Sequence, residues 1–487
     1  MPFKFKITGK QLFIVWLVCL MLLALPAFAA AEEEEYWELS DSQLQWLEIH
    51  ELLQSFHVTS PSGEKLAGVS IEAMLEALND PYSRYMTPDE WDNYLNSLNQ
   101  KFTGIGVLVA EEDEGMRIVE VYPNSPAAEA GLLAGDYLVA IDGVTAGDRE
   151  IDSFLSLIPK EDGSSVILTL DRSGQIVEVE LFVGEIVVPS VSGFLMNDGT
   201  GYIYISVFAS ETSQEFTEML NQLSAQGMKA LILDIRNNPG GLADSVHELS
   251  ASFIPEGVLM TVQDGSGYQE DIEIIGGSEL SVPVALLVNG ESASAAEVLA
   301  GFLQDYEKAV LIGSRTYGKG TIQSMIPLSN GGVLKMSTEQ YFTPMGHPVQ
   351  GQGIIPDWEV EGELPQLLAA LHALDSAVEL DIRFTGELIV NGEEIGYEAP
   401  FLNREEKWYV HSRILAAMVG NDIGWHGALG SVVLTSLPDR QVIVFHTGES
   451  VILEQDLAYV ELEAFQQVFP QFHWKVNDGG LVLTVRP

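Results

Sequence analysis

The sequence predicts a multidomain chain of mixed α/β and β architecture, and three observations predict it. From 186 to about 360, short apolar runs alternate with helix-period segments, the pattern of helices layered over a sheet. Residues 101–184 carry strand-like runs separated by turn signals. Residues 379–487 hold an approximate internal repeat. With 487 residues, the chain can form two to four domains, each with its own core.

The first 29 residues read as a secretion signal. Lys4, Lys6 and Lys10 precede the apolar stretch Leu12 to Leu25, and Ala27-Phe28-Ala29 offers a small-x-small cleavage site. The stretch is short for a spanning helix, and the acidic run Glu32 to Glu35 follows it. An uncleaved membrane anchor is the lesser alternative. The expected location is extracytoplasmic, secreted or associated with the cell envelope. The single cysteine, Cys19, lies inside this signal, so the mature chain is expected to lack thiols and disulfides, which excludes thiol catalysis. A net charge of −48 argues against nucleic acid as a partner, because phosphate recognition needs clustered Lys and Arg. The acidity fits a solvated, self-repelling surface or adaptation to salty or alkaline surroundings.

Residues 38–98 read as helices. Trp46, Ile49, Leu53 and Phe56 recur at helical spacing, as do Val69, Ile71, Met74, Leu75 and Leu78 more roughly. Asp80-Pro81 ends the second run. The next module, 99–185, is β-rich. Its strand candidates are Met116–Val121, Asp136–Ile141 and Val166–Leu170, with a short helix from Ser125 to Gly131 and a turn at Asp142-Gly143. Residues 186–362 form the α/β core. Strands are expected at Tyr202–Ser206, Ala230–Asp234, 284–288 and Ala309–Ile312. Helices are expected over Thr212–Leu223, Leu242–Phe253 and 294–304. Glu359 to Leu364 suggests a linker. Beyond it, Tyr409-Val410, Gly424-Trp425 and Val432–Thr435 recur as Tyr459-Val460, His473-Trp474 and Leu481–Thr484. Each half reads as a short helix followed by a hairpin, so an α+β repeat domain is expected over 379–487.

The chemistry points to Ser294 and Lys319. Ser294 stands where the apolar run 284–288 gives way to a helix, and Glu297 is three residues on. The plain explanation is a capping box. The same place suits a nucleophile, because free N–H groups at a helix mouth favour developing negative charge. A serine hydroxyl needs a base, and a lysine with a lowered pKa can serve. For Lys319 the pKa must fall toward about 7–8, which desolvation achieves; Tyr317, Ile322 and Met325 are candidates for that apolar wall. A solvated loop lysine is the ordinary alternative. Gln323, four residues after Lys319, could hold its amine. The turn Asp234-Ile-Arg-Asn-Asn-Pro-Gly240-Gly241 allows a close backbone approach. A glycine N–H there, with the N–H of Ala295, could form an oxyanion hole.

Together these segments resemble the carboxyl-terminal processing proteases, serine-lysine peptidases with a crotonase-like α/β core and an inserted PDZ domain. The resemblance spans about residues 40–360. It rests on Asp80–Met86, the 103–107 loop, Gly201–Phe208, Asp234–Gly241, Ser292–Glu297, Gly318–Gln323 and Gly351–Asp357 in the family's order. It implies Ser294 as nucleophile, Lys319 as general base and Gln323 as its orienting residue, with Gly240 and Ala295 stabilising the oxyanion. Ser292 is the competing serine; family spacing favours Ser294. The 99–185 module looks like the family's PDZ domain, with Thr103, Gly104, Ile105, Gly106 and Val107 at the expected peptide-carboxylate loop. The C-terminal region resembles the stalk-like repeat domain named from copper amine oxidases, through Val390-Asn-Gly392, Pro400–Asn403 and Trp408–Val410. No copper, other metal or cofactor is implied.

The expectation is therefore an exported serine endopeptidase. It should recognise protein or peptide substrates with apolar C-termini through the PDZ domain and cleave them through an acyl-enzyme. A cell-wall or protein partner for the C-terminal domain and a homo-oligomer are compatible with it. The rival is a non-catalytic peptide-binding scaffold in which the serine only caps its helix. His247 and His347 lie near the proposed segments, and solvated or structural roles suit them better than that of a base.

Overall fold

A computed structural model describes residues 39–486, apart from 67–69, 113–114, 148 and 437–440. The expected secretion signal, Cys19 and Val69 lie outside the described residues. Two compact units divide the chain at Leu47. The described part of the first contains the opening of helix Asp41–Phe56. The second, Glu48–Pro487, contains the rest of that helix and every other described element.

Ile49 and Leu53 are buried at helical spacing, whereas Phe56 is exposed. Helix Ile71–Ala77 starts at Ser70, and helix Pro88–Leu98 at Thr87, where a capping box with Glu90 and a proline in the first turn define the start. Between them Arg84–Met86 forms a short strand paired antiparallel with Val333–Phe342.

The inserted module is a sheet in the order Val107–Glu112, Gly115–Val121, Tyr137–Ile141, Ser165–Arg172 and Gln175–Phe182. Ile118, Leu138, Ile141, Phe154, Val166, Leu168 and Leu170 fill its core. Lys101–Gly104 and Gly184–Val187 pair antiparallel, so entry and exit leave the module side by side.

The α/β core is a six-stranded sheet in the order Val191–Leu195, Thr200–Ile205, Ala230–Asp234, Val284–Val288, Val310–Gly313 and Trp358–Glu359. The first pair is antiparallel and the rest are parallel. Every residue of the two central strands is buried, as expected where helices cover both faces. Alternate side chains divide between two cores. Leu231, Leu233, Leu286 and Val288 pack with helices Thr212–Ala225, Ala243–Ser250 and Ala295–Asp305. Ala230, Ile232, Ala285 and Leu287 pack with helix Glu363–Ala373 and with the C-terminal region.

A second sheet gathers Arg84–Met86, Val333–Phe342, Glu256–Asp264, Gln269–Ile275 and Thr321–Pro327. In the C-terminal region, strand Lys407–His411, helix Ser412–Met418 and hairpin Asn421–His426/Ser431–Ser436 have the same order as strand Leu457–Glu461, helix Leu462–Val468 and hairpin Phe472–Asn477/Gly480–Val485. A strand thus precedes the helix in both. The expected linker at Glu359–Leu364 is not one. Glu359 ends an edge strand, and Leu364, 2% exposed, already belongs to the shared core. The polar appearance comes from Glu359, Glu361 and Glu363, while Leu364 faces inward.

Candidate active site

Three parallel neighbours place the three site segments. Ala230–Asp234 runs into the glycine turn, Val284–Val288 into the Ser294 loop, and Val310–Gly313 into the Lys319 loop. Parallel neighbours end on the same edge, and the carboxyl edge is where such sheets gather function.

The first two loops are stitched together. Ala293 N–H donates to Asn238 O at 2.9 Å. Asn237 N–H donates to Asn289 Oδ1 and Asn289 Nδ2 to Asn237 Oδ1. Ser292, fully buried, donates to Ile235 O at 2.8 Å and accepts from Asn289 N–H at 3.0 Å. Ser292 is therefore spent on holding the loops. Gly240 has φ +98°; a Cβ there would lie 2.6 Å from Ala293 O, 2.7 Å from Ser294 Cβ and 2.9 Å from Ala295 N. The turn thus presses against the serine at a distance only glycine permits.

Ser294 precedes helix Ala295–Asp305 with φ 56°, ψ −116°, a strained region for a residue with a side chain. Its N–H donates to Glu297 Oε2 at 3.0 Å, and its carbonyl accepts from Glu297 N–H at 2.8 Å. Glu297 and Ser294 do form the capping pair that the spacing suggests, but Glu297 reaches further. Fully buried, its carboxylate also accepts from Lys319 N–H (2.8 Å), Gly318 N–H (2.7 Å) and Thr316 Oγ1 (2.6 Å). One carboxylate therefore fastens the serine segment to the lysine loop. Tyr341 OH reinforces it, lying 3.1 Å from Ser294 O and 2.9 Å from Lys319 O. Complete burial, with Glu297 nearby, pushes the Tyr341 hydroxyl well above its usual range.

The pKa of Lys319 falls from 10.5 to about 8. Burial is the main cause and the positive charge of Lys335 adds to it; Asp80 and Glu297 pull the other way. Its Nζ lies 4.8 Å from the Tyr82 ring centroid, a cation–π contact. Burial and a hydrogen bond with Tyr317 push the Tyr82 hydroxyl up to about 12. Asp80 anchors this corner. Burial alone would raise its carboxyl, but His57 Nε2 (3.3 Å), Ser83 Oγ (2.5 Å) and Tyr82 N–H (3.0 Å) hold it well below the usual carboxylate range. Gly353 packs the far side of the lysine loop, where a Cβ would lie 2.3 Å from Thr316 O.

A family model described as peptidase family S41 matches residues 199–360, and a PDZ domain model matches residues 117–172. The carboxy-terminal-processing protease of Bartonella bacilliformis is 31% identical over 328 residues, 66% of this chain and 75% of that protein. The carboxy-terminal processing protease CtpA of Bacillus subtilis is 30% identical over 375 residues, 75% of this chain and 80% of that one. The chain is an S41 peptidase of the carboxy-terminal processing group. The solved photosystem II D1 C-terminal processing protease is 26% identical at a TM-score of 0.45, covering 67% of this chain and 95% of that one.

In this S41 peptidase several expected contacts take another form. Among the described residues, no hydrogen bond joins Lys319 Nζ to Ser294. Gln323 does not hold the amine; its Nε2 donates to Thr321 O and Oγ1, both at 3.0 Å, and to Ser337 Oγ at 3.3 Å. A shift in strand register between Ile322 and Gln323 breaks the simple spacing that favoured a Lys319–Gln323 pair. Gly240 N–H is taken by Asn238 Oδ1 at 2.8 Å, an Asx turn that the Asn-Pro-Gly sequence favours. In the PDZ domain, Thr103 and Gly104 are tied into the strand pair with Glu185 and Gly184. Ile105 and Gly106 are buried and Val107 opens the first strand. Ile105 O accepts from Ala127 N–H and Gly106 O from Tyr122 N–H. His247 Nε2 pairs with Glu273 O at 2.9 Å, and His347 is an exposed loop residue.

Sequence reasoning gives Glu297 only a capping role and passes over Tyr341, His57 and Lys335. Tyr341 and Lys335 lie on one strand of mixed polarity, Val333–Phe342, with no motif to mark them. Asp80 is visible in the Asp80–Met86 motif, but its histidine partner is 23 residues away.

Proposed function

We propose that this chain is an endopeptidase in which Ser294 is the nucleophile and Lys319 the general base. The observation that carries the reading is the Glu297 carboxylate. It binds main-chain N–H groups of both Ser294 and Lys319, beside an amine pulled down to about 8. Neutral Lys319 leaves the Tyr82 face and takes the Ser294 proton as the hydroxyl attacks the scissile carbonyl. The developing oxyanion is met by Ala295 N–H at the helix mouth and by a glycine N–H, that of Gly240 once Asn238 Oδ1 releases it. The protonated lysine returns its proton to the leaving amine, and water then resolves the acyl-enzyme. Gln323, through Thr321 and Ser337, shapes the strand behind the lysine.

Substrate tails with apolar C-termini add to the PDZ sheet near Ile105 and Gly106. The 1–29 segment directs the chain out of the cytoplasm, and the C-terminal domain, stalk-like in sequence, offers a surface for envelope or protein partners. Full-length enzyme is tested on unfolded casein and on a reporter with an apolar C-terminus. Ser294→Ala and Lys319→Ala each abolish cleavage while circular dichroism is unchanged. Full activity in either variant defeats the assignment. Peptide binding without cleavage by the unaltered chain, even after peptides with apolar C-termini are added, favours the scaffold alternative.

A further inference from the structure

Arg236 stands at the root of the glycine turn. The preceding Ile235 O accepts from Ser292, and Asn238, two residues on, accepts from Ala293 N–H and holds Gly240 N–H. Arg236 is 3% exposed, so each of its five N–H groups needs an acceptor. Asp234 supplies two, to Nε at 3.0 Å and to Nη2 at 2.6 Å. The other three come from beyond the catalytic sheet. Glu363 O (3.0 Å) and Gln366 Oε1 (2.9 Å) take Nη1, and Tyr397 OH (2.7 Å) takes Nη2. The Tyr397 ring also flanks the guanidinium, 5.6 Å from Cζ to centroid.

Tyr397 belongs to the C-terminal domain, in the loop between strands Glu393–Glu394 and Phe401–Arg404. That domain does not stand apart from the catalytic sheet. Ala285, Leu287 and Ile312 share one continuous core with helix Glu363–Ala373 and with Val378, Leu380, Ile414, Val432 and Phe465. Polar contacts add to it: Asn197 N–H donates to Asn391 O at 2.9 Å, and Thr200 Oγ1 meets Ser376 Oγ at 2.8 Å.

We propose that Tyr397 is a positioning residue for the glycine turn, and that the C-terminal domain is a working part of the catalytic apparatus rather than an appended spacer. This rests on the serine–lysine reading. Tyr397 fixes the direction of the Arg236 guanidinium. Arg236 in turn fixes the short segment from Ile235 to Gly240 on which Ser294 and the oxyanion donors are registered. Because that register matters where charge develops, its loss falls on kcat and not on substrate binding. Arg236 itself is a poor probe, since replacing it strands the buried Asp234 charge.

The test uses the full-length enzyme and a peptide reporter. Tyr397→Phe keeps the ring and removes the hydroxyl; kcat is expected to fall about ten- to a hundredfold with KM within about twofold, the scale of one lost hydrogen bond to a charged group. Gln366→Met, which removes the second side-chain acceptor, moves kcat the same way. Phe445→Leu is the control for plain destabilisation: it loosens the same domain away from Arg236, lowers the melting temperature and leaves kcat at 25 °C unchanged. Ser294→Ala, assayed alongside, tests the underlying reading. Dead Ser294→Ala with fully active Tyr397→Phe and Gln366→Met overturns the inference alone. Activity losses in Tyr397→Phe and Phe445→Leu that both track their melting temperatures also overturn it. An active Ser294→Ala removes the serine–lysine reading and the inference together.

Discussion

Replacing Lys335 by methionine removes one positive charge near Lys319 while keeping an apolar stem of similar length. Lys335 sits half-buried on strand Val333–Phe342, its Nζ 3.2 Å from Tyr94 OH and 4.9 Å from the Tyr94 ring centroid. Its own pKa is lowered, by burial first and then by Arg84. Around Lys319 the charges are Lys335, which disfavours the cation, and Asp80 and Glu297, which favour it; the Tyr82 phenol, pushed up to about 12, stays neutral at working pH. With the amine at about 8, about a tenth is neutral at pH 7, against roughly 0.03% at the ordinary value. Across an effective dielectric of about 20, a neighbouring like charge disfavours the ammonium by on the order of 1 kcal/mol, or about one pKa unit. Removing the repulsion raises the Lys319 pKa, and a rise of about one unit cuts the neutral fraction at pH 7 about tenfold. The assay is kcat/KM on an internally quenched peptide at constant ionic strength, from pH 6 to pH 10.5. Activity of the unaltered enzyme rises with pH through about 8, because the base works deprotonated. Lys335→Met loses about tenfold at pH 7 and nothing near pH 10. An acid limb that stays put or moves downward refutes the electrostatic argument. A limb near 6.5 in the unaltered enzyme points to a histidine and refutes the lysine base.

Three further outcomes are expected of the site. Glu297→Gln turns one buried acceptor into a donor facing main-chain N–H groups; kcat should fall by about two orders of magnitude and the melting temperature should drop, and retained turnover would show that the two loops hold each other without it. Gly240→Ala forces a Cβ against Ala293 O and Ser294 at a positive φ; it should cost about 1–3 kcal/mol in urea unfolding and abolish cleavage, and behaviour like the unaltered enzyme denies the close approach. Ser292→Ala strands the Asn289 N–H and the Ile235 carbonyl; stability should fall by about 1–3 kcal/mol with measurable activity remaining, whereas abolished cleavage in an intact fold reassigns the nucleophile.

The parts of this molecule that can be read in sequence are those whose partners are local or whose burial is uniform. Ala230–Asp234 and Val284–Val288 read as strands because both faces are covered, so no polar residue breaks the run until Asp234. The parts that cannot be read depend on distant partners. Arg84–Met86 is too short to alternate, and its partner strand lies some 250 residues away. Glu297 satisfies a local capping rule so well that the rule hides its other role, since Thr316, Gly318 and Lys319 are 19 to 22 residues off in sequence. Gln323 fails for a related reason: counting residues assumes an unbroken strand, and the register shift at Ile322/Gln323 changes what the residue faces.

Capping and catalysis are rival explanations of Ser294, and its backbone is unlike that of the chain's other hydroxyl caps. Elsewhere the chain makes ordinary hydroxyl caps. Ser70, Thr87 and Ser125 sit at φ −134°, −64° and −87°, and each side chain accepts a hydrogen bond from the third residue on. That is the relaxed geometry such residues are chosen for. Ser294 instead stands at φ 56°, ψ −116°, a conformation that costs on the order of 1–3 kcal/mol for a residue with a side chain. Glycine would occupy it without strain, and a helix needs no strained serine to begin. The conformation persists because Glu297, Tyr341 and the Asn238–Ala293 bond over-determine the backbone on both sides. A cap alone has no use for those ties to the lysine loop and the glycine turn; the nucleophile role proposed for Ser294 gives them one.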